Sequence, residues 1–196
     1  AKAGYVSGAS DEIRLRVEGK SCHGAYPESG VDAIVIAGQV VSALQTLVSR
    51  TLSPFDPAVV TIGTIEGGTA NNIVCGEVKM RGTLRTLSET TREKMKACIC
   101  RTCTGVAEAL GGKCEVQLIP SYGAVYNNDG YYAVIEREAR EVLGREKMVQ
   151  REAPSLGVES FYYFVRQTPG VYYDLGSGVG TALHTPTFTV DEACLL

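Results

Sequence analysis

In Asp11-Glu12-Ile13-Arg14-Leu15-Arg16-Val17-Glu18-Gly19-Lys20, charged and apolar residues alternate from Glu12 to Glu18. A period of two marks a strand with one buried face. Ile13, Leu15 and Val17 are therefore assigned to a core, and Glu12, Arg14, Arg16 and Glu18 to solvent. A loop from Ser21 to Pro27 follows, with His23 at the strand exit, and then an apolar series at Ala33, Ile36, Ala37, Val40, Val41, Leu44, Leu47 and Val48. Spacings of three and four make that series one helical stripe. Asp32 suits its N-terminal end, and Ser53-Pro54 stops it soon after Arg50.

Further out, Ala58 to Ile65 is a β-branched run that leads into Glu66-Gly67-Gly68-Thr69-Ala70-Asn71-Asn72, a turn-forming composition. The chain returns through Val74, Val78, Met80 and Leu84, which predicts a hairpin. Met95, Ile99, Cys103, Val106 and Leu110 recur at helical spacing within Glu89 to Leu110, and Gly111-Gly112 ends that helix. Lys113 to Ile119 alternates again. The order strand, helix, strand, strand, helix, strand is the split βαβ arrangement of a ferredoxin-like α+β domain, predicted over residues 11–119. Both helices would cover one face of its sheet and leave the other open.

After Pro120 the texture changes. A helix is predicted over Asp129 to Leu143, closed by Gly144, then a segment around Val149, an aromatic run from Phe161 to Phe164, and a strand-like Val171-Tyr172-Tyr173. This tail alternates helix and strand but holds too little apolar material to close its own α/β sheet. Residues 1–10 are expected to be a linker from an absent N-terminal part, and 120–196 a segment of a larger, incomplete α/β domain.

A net charge of −3 and a pI near 5.5 give no basic footprint, so neither nucleic acid nor an anionic membrane is an expected partner. No apolar run is read as approaching the roughly 18 residues of a bilayer span, and no leader is recognised, so a cytoplasmic protein is expected. The seven cysteines are expected to be reduced thiols. Cys98, Cys100 and Cys103 are close in sequence, but on a helix the first two point in nearly opposite directions, which disfavours a metal cluster.

Only two histidines exist, His23 and His184. On residue chemistry alone, His23 suits either a substrate or metal contact or a local surface hydrogen bond. Asn72 fits a plain turn as well as a ligand contact. Arg85 fits a cross-strand ion pair with Glu77 or Glu66 as well as a binding role. The tyrosines and phenylalanines at 161–164 suit packing first and a pocket wall second.

Six stretches in order resemble the M20 metallopeptidase and amidohydrolase family, particularly its N-acyl-amino-acid and hippurate-type amidohydrolases. They are Gly19-Lys20 to Pro27 with Gly30-Val31-Asp32-Ala33-Ile34; Leu44 to Arg50; Gly67-Gly68-Thr69-Ala70-Asn71-Asn72-Ile73; Gly82-Thr83-Leu84-Arg85-Thr86; Gly157-Val158-Glu159-Ser160-Phe161; and Leu183-His184-Thr185-Pro186-Thr187-Phe188. The resemblance implies a ferredoxin-like lid that dimerises and interrupts a catalytic domain with two divalent metals, usually zinc, with manganese, cobalt or nickel as alternatives. It further implies that His23 reaches the partner subunit's active site and stabilises an oxyanion. Asn72, Arg85 and Gly157 would bind substrate, and His184 would be the last metal ligand.

Ser160 stands where the family usually has an aspartate, and Cys75 where a proline is common. The family's earlier motifs, which supply most metal ligands and the general base, have no counterpart here. The chain is thus expected to be the lid plus the C-terminal part of an amidohydrolase that cleaves N-acyl amino acids or small peptides. It is expected to be inactive alone, to form a homodimer through the lid, and to need the missing N-terminal part. The alternatives are a non-catalytic dimerisation or binding module, and an M20 di- or carboxypeptidase.

Overall fold

The computed structural model describes residues 1–178 and 184–195. Strand β1 (Gly4–Ser7) is followed by β2 (Ala9–Glu18), the alternating stretch, in which Ile13, Leu15 and Val17 are buried as the period predicts. A two-residue strand β3 (Cys22–His23) leads to helix α1 (Ala33–Thr46). The Asp32 carboxylate accepts hydrogen bonds from the Ile34 and Val35 amides, 2.9 and 3.3 Å, which satisfies two of the free N–H groups at the helix start. The helix runs on through a wider π turn, Leu47–Thr51, and Leu52 returns to extended backbone two residues before Pro54.

Strand β4 (Ala58–Gly67) descends to the hairpin, which returns in two pieces, β5 (Ile73–Val74) and β6 (Glu77–Thr86). The return breaks at Gly76, whose carbonyl accepts from the Gly19 amide at 2.9 Å and where a side chain would collide with Ser21. Helix α2 (Glu89–Ala109) starts on Ser88, whose hydroxyl accepts from the Thr91 amide, and β7 (Lys113–Pro120) closes the domain. The four long strands form one antiparallel sheet in the order β4-β6-β2-β7. One core joins the odd-numbered face of β2, the even-numbered face of β6 and the stripes of α1 (Ile36, Val40, Leu44) and α2 (Met95, Ile99, Cys103). The ferredoxin-like fold expected over 11–119 is what forms.

Two expectations change. The α1 segment Ala33–Thr51 is, by length and mean hydropathy, long and apolar enough to cross a membrane, contrary to what the sequence suggested. Its stripe Ala33, Ile36, Ala37, Val40, Leu44 and Leu47 is buried against the sheet and α2, which makes it a core helix of this domain. Residues 1–10 are also more than a linker, since β1 pairs with β8 (Val125–Asn127) and β2 already begins at Ala9.

In the C-terminal segment, α3 (Asp129–Leu143) has the predicted bounds and is stopped by Gly144 at a φ of 87°, as its sequence predicts, and the structure adds an Asn128 cap at its start. A short α4 (Tyr162–Val165) takes up part of the aromatic run. The strand-like Val171–Tyr173 joins no ladder among the described residues. The buried Asn127 side chain takes its backbone instead, accepting from the Tyr172 amide at 2.7 Å and donating to the Tyr172 and Lys2 carbonyls at 2.9 and 2.8 Å.

Candidate functional site at the two ends of the lid

His23 and Asn72 lie on two loops that the backbone ties together. Cys22 pairs with Val74 and His23 with Ile73, and the Gly24 amide donates to the Asn72 carbonyl at 2.7 Å. Gly24 allows this approach, because a Cβ there would stand 3.0 Å from the same oxygen. Both side chains are exposed. The His23 ring sits 5.6 Å from the Tyr26 ring, and its Nδ1 accepts from the Ala25 amide at 3.0 Å. A local bond at His23 and a tip shared with Asn72 are therefore both real. Cys75, just behind the tip, is buried and donates to the Glu77 carbonyl.

Arg85 is at the opposite end. It sits across from Ser10 on one side and Val59 on the other, half-buried, and carries no ion pair among the described residues. Glu77 is eight residues away and is held by Arg16 and Lys79, while Glu66 lies opposite Lys79, so neither carboxylate is available to Arg85. Gly157 is near the same end: its carbonyl accepts from the Gly8 amide at 2.9 Å, and a Cβ on Gly8 would be 3.1 Å from the Thr86 carbonyl. Eight residues of extended strand between Glu77 and Arg85 place the two ends roughly 27 Å apart. The structure thus groups the expected site residues in two pairs, His23 with Asn72 at the tip and Arg85 with Gly157 at the neck.

At the neck both chain crossings are pinned. The Ser10 amide donates to the Tyr122 carbonyl at 2.8 Å and the Ser121 amide to the Ser10 carbonyl at 3.0 Å. Behind them, Arg92 grips Asp11 with two bonds, Nε to Oδ2 at 2.8 Å and Nη2 to Oδ1 at 2.9 Å, and both residues are buried. The Asp11 carboxylate pushes the Arg92 guanidinium further above its ordinary range. A hollow of about 430 Å³ opens beside this crossing, lined by Ser10, Glu12, Thr83, Ser121, Tyr122 and Tyr163. Tyr163 packs edge-on against Tyr122, with ring centroids 5.7 Å apart.

The open sheet face carries charges in facing pairs: Arg14 opposite Arg81 and Arg16 opposite Lys79. Glu12 bonds Arg14, and Glu77 with Glu18 and Glu115 surround Arg16. Arg16 first, then Lys79, holds the Glu77 carboxyl below the usual carboxylate range.

Asp11 and Arg92 were missed in the sequence. Asp11 occupies a position on the apolar face of β2, and Arg92 one turn before Met95 on the buried stripe of α2, so two charges stood where the pattern asks for apolar residues. That signal was present.

His184 is exposed with its backbone in the left-handed region, φ 64°, a conformation uncommon for a non-glycine residue. Leu183 of the same motif lies outside the described residues. Among the described residues, no three or more His, Cys, Asp or Glu side chains converge where a metal ion could be held. Cys98 and Cys103 are buried in the core, whereas Cys100 lies on the outer side of α2.

Residues 8–104 match the family model of the M20 peptidase dimerisation domain. The chain belongs to the M20 family. Among its relatives, an uncharacterized hydrolase of Sinorhizobium fredii is 35% identical over 199 residues, covering 100% of this chain and 49% of the relative. The N-acetyldiaminopimelate deacetylase of Bacillus velezensis is 33% identical over 97% of this chain and 50% of its own length. A Bacillus subtilis protein described as a dinuclear metal-binding peptidase of the M20 family superposes with a TM-score of 0.79 at 28% identity, covering 100% of this chain and 48% of that one. The chain spans about half the length of the curated relatives it matches. This M20 dimerisation domain therefore belongs to a family of hydrolases, one of which is described as a dinuclear metal-binding peptidase.

Proposed function

We propose that this chain is the lid and C-terminal part of an M20 amidohydrolase that cleaves the amide bond of N-acyl amino acids or small peptides. We propose further that each active site is divided between two subunits. The observation that carries this is the separation of His23 and Asn72 from Arg85 and Gly157 by the length of the sheet. One substrate molecule of amino-acid size cannot touch both ends of a single lid.

Strand β4 is an edge of the sheet and exposes Val59 and Ile65. Two copies paired across this edge by a two-fold axis run antiparallel, which sets the tip of one lid beside the neck of its partner. Arg85, with no ion pair among the described residues, then offers a bidentate partner to the substrate carboxylate, and the neck hollow with Tyr163 takes the acyl group. His23 of the partner subunit donates to the carbonyl oxygen as negative charge develops on it, a bond stronger in the transition state than in the ground state. A divalent metal, zinc by resemblance and two per complete site, would be held mainly by the other half of the full-length protein, with His184 as the one ligand from this part. This chain alone would be inactive. All seven thiols are free, which suits a reducing compartment, and a cytoplasmic location is proposed on that ground.

Mixed dimers of the full-length protein test the division. His23→Ala and Arg85→Ala homodimers should each lose about 10²–10³ in kcat/KM. When the two are mixed and reassociated, half the dimers are hybrids with one intact site, so about a quarter of wild-type activity should return. No recovery on mixing would show that both residues serve the same subunit. Robust amide hydrolysis by the 196-residue chain with added zinc or manganese would overturn the requirement for the other half.

A further inference from the structure

We propose that the backbone amide of Ala25 fixes the neutral His23 ring in one tautomer, with its proton on Nε2, so that the lid tip presents a hydrogen-bond donor of set identity and direction. This deepens the proposed role of His23 as a donor to the developing oxyanion and rests on it. Its evidence is independent of any catalytic assay.

The Ala25 N–H points at Nδ1 with a separation of 3.0 Å. A ring nitrogen that accepts a hydrogen bond must hold a lone pair, and in a neutral imidazole the single proton then resides on the other nitrogen. The opposite tautomer would set two N–H groups against each other and leave the Ala25 amide without an acceptor.

The loop is built so that this contact cannot easily relax. Three successive amides are all engaged: Gly24 to the Asn72 carbonyl at 2.7 Å, Ala25 to the His23 ring, and Tyr26 back to the His23 carbonyl at 2.9 Å. The His23 backbone is paired with Ile73 in a ladder, and the Tyr26 ring lies against the imidazole at 5.6 Å. The ring is thus held through its backbone, one nitrogen and the neighbouring Tyr26 ring. Only Nε2 is left to meet a ligand, and with its proton in place it can act on a carbonyl oxygen but cannot serve as a lone-pair ligand. The positioning group is a main-chain atom, so no side-chain substitution scan would find it.

The test uses the 196-residue chain itself with ring-labelled ¹⁵N-histidine, at a pH where imidazole is neutral. His184→Gln assigns the remaining signals to His23. Nitrogen shifts and the couplings from each ring nitrogen to the carbon-bound protons report which nitrogen is protonated. In the folded chain the Nε2–H to Nδ1–H ratio should exceed that of the same chain unfolded in urea by about fivefold, the factor that one ordinary hydrogen bond supplies. Replacing Ala25 by lactic acid, which exchanges the amide N–H for an ester oxygen, should return the ratio to the unfolded value. If the ester variant does not fold, the folded-against-unfolded comparison in the wild type decides alone. An Nδ1–H ring in the folded chain, a ratio equal to that of the unfolded chain, or a ratio that the ester leaves unchanged would overturn the proposal. Because the readout needs no metal, substrate or turnover, such a result would leave the divided-site proposal to be judged by the mixed dimers.

Discussion

Removing Asp11 should be among the most damaging single changes available in the lid. Its side chain is completely buried, and it receives two bonds from Arg92, itself only 5% exposed. In Asp11→Ala the guanidinium keeps the Ser10 carbonyl at 3.4 Å and Glu89 at 3.3 Å, a carboxylate that is mostly in solvent. Breaking a buried pair by deleting one partner costs about 3–5 kcal/mol. The surviving contacts place this case at the lower end, about 3 kcal/mol. With a urea dependence of about 2 kcal/mol per molar, the unfolding midpoint should fall by about 1.5 M, read by far-UV circular dichroism on the 196-residue chain. Glu12→Ala, which removes the neighbouring but exposed partner of Arg14, is the control and should leave the midpoint nearly unchanged. The double replacement Asp11→Leu with Arg92→Met should recover most of the loss, since a buried pair exchanged for apolar groups of similar size is often neutral. A shift in Asp11→Ala no larger than in Glu12→Ala would refute the reasoning, as would a double variant less stable than either single one.

Asn127→Ala deletes three hydrogen bonds at a fully buried site and should cost about 3 kcal/mol, at about 1 kcal/mol each. The loss should fall on the C-terminal segment, with faster proteolytic cleavage after residue 144 while the lid stays resistant. Glu77, whose carboxyl is held below its ordinary range by Arg16, adds stability above the ordinary glutamate range, and that contribution fades as pH falls through its lowered value. Arg16→Ala should therefore lower stability near neutral pH and flatten the acid side of the stability profile; an unchanged profile would show that the network is inert. The Cys103 thiol is pushed up by its hydrogen bond with Cys114 and by burial. Thiol reagents should label the partly exposed Cys22 and Cys100 in the folded chain and reach Cys103 only on unfolding, and early labelling of Cys103 would contradict the packed core.

The lid was legible because each of its elements has a period. Ile13, Leu15 and Val17 count in twos, Met95, Ile99 and Cys103 in fours, and Asp32 marks the helix start that it does cap. The C-terminal segment was less legible, because its backbone is satisfied by irregular means. A single buried asparagine, Asn127, takes the hydrogen bonds of Tyr172 that a neighbouring strand would otherwise take, and no periodicity announces that. The site residues were found by resemblance and sorted by the fold. Sequence order places Asn72 close to Arg85, and only the extension of β6 shows that they stand at opposite ends of the lid.

The neck has one more consequence. The Ser10 amide donates to Tyr122 and its carbonyl accepts from Ser121 across the point where the chain enters and leaves the lid, so more than a hundred residues of folded structure attach to the remainder through two adjacent strands. A unit whose ends meet in this way asks of its host only what a short surface turn would ask. Its attachment is that of a cassette: removing it or grafting it elsewhere would ask for the closure of one short gap, without redesign of the host's interior.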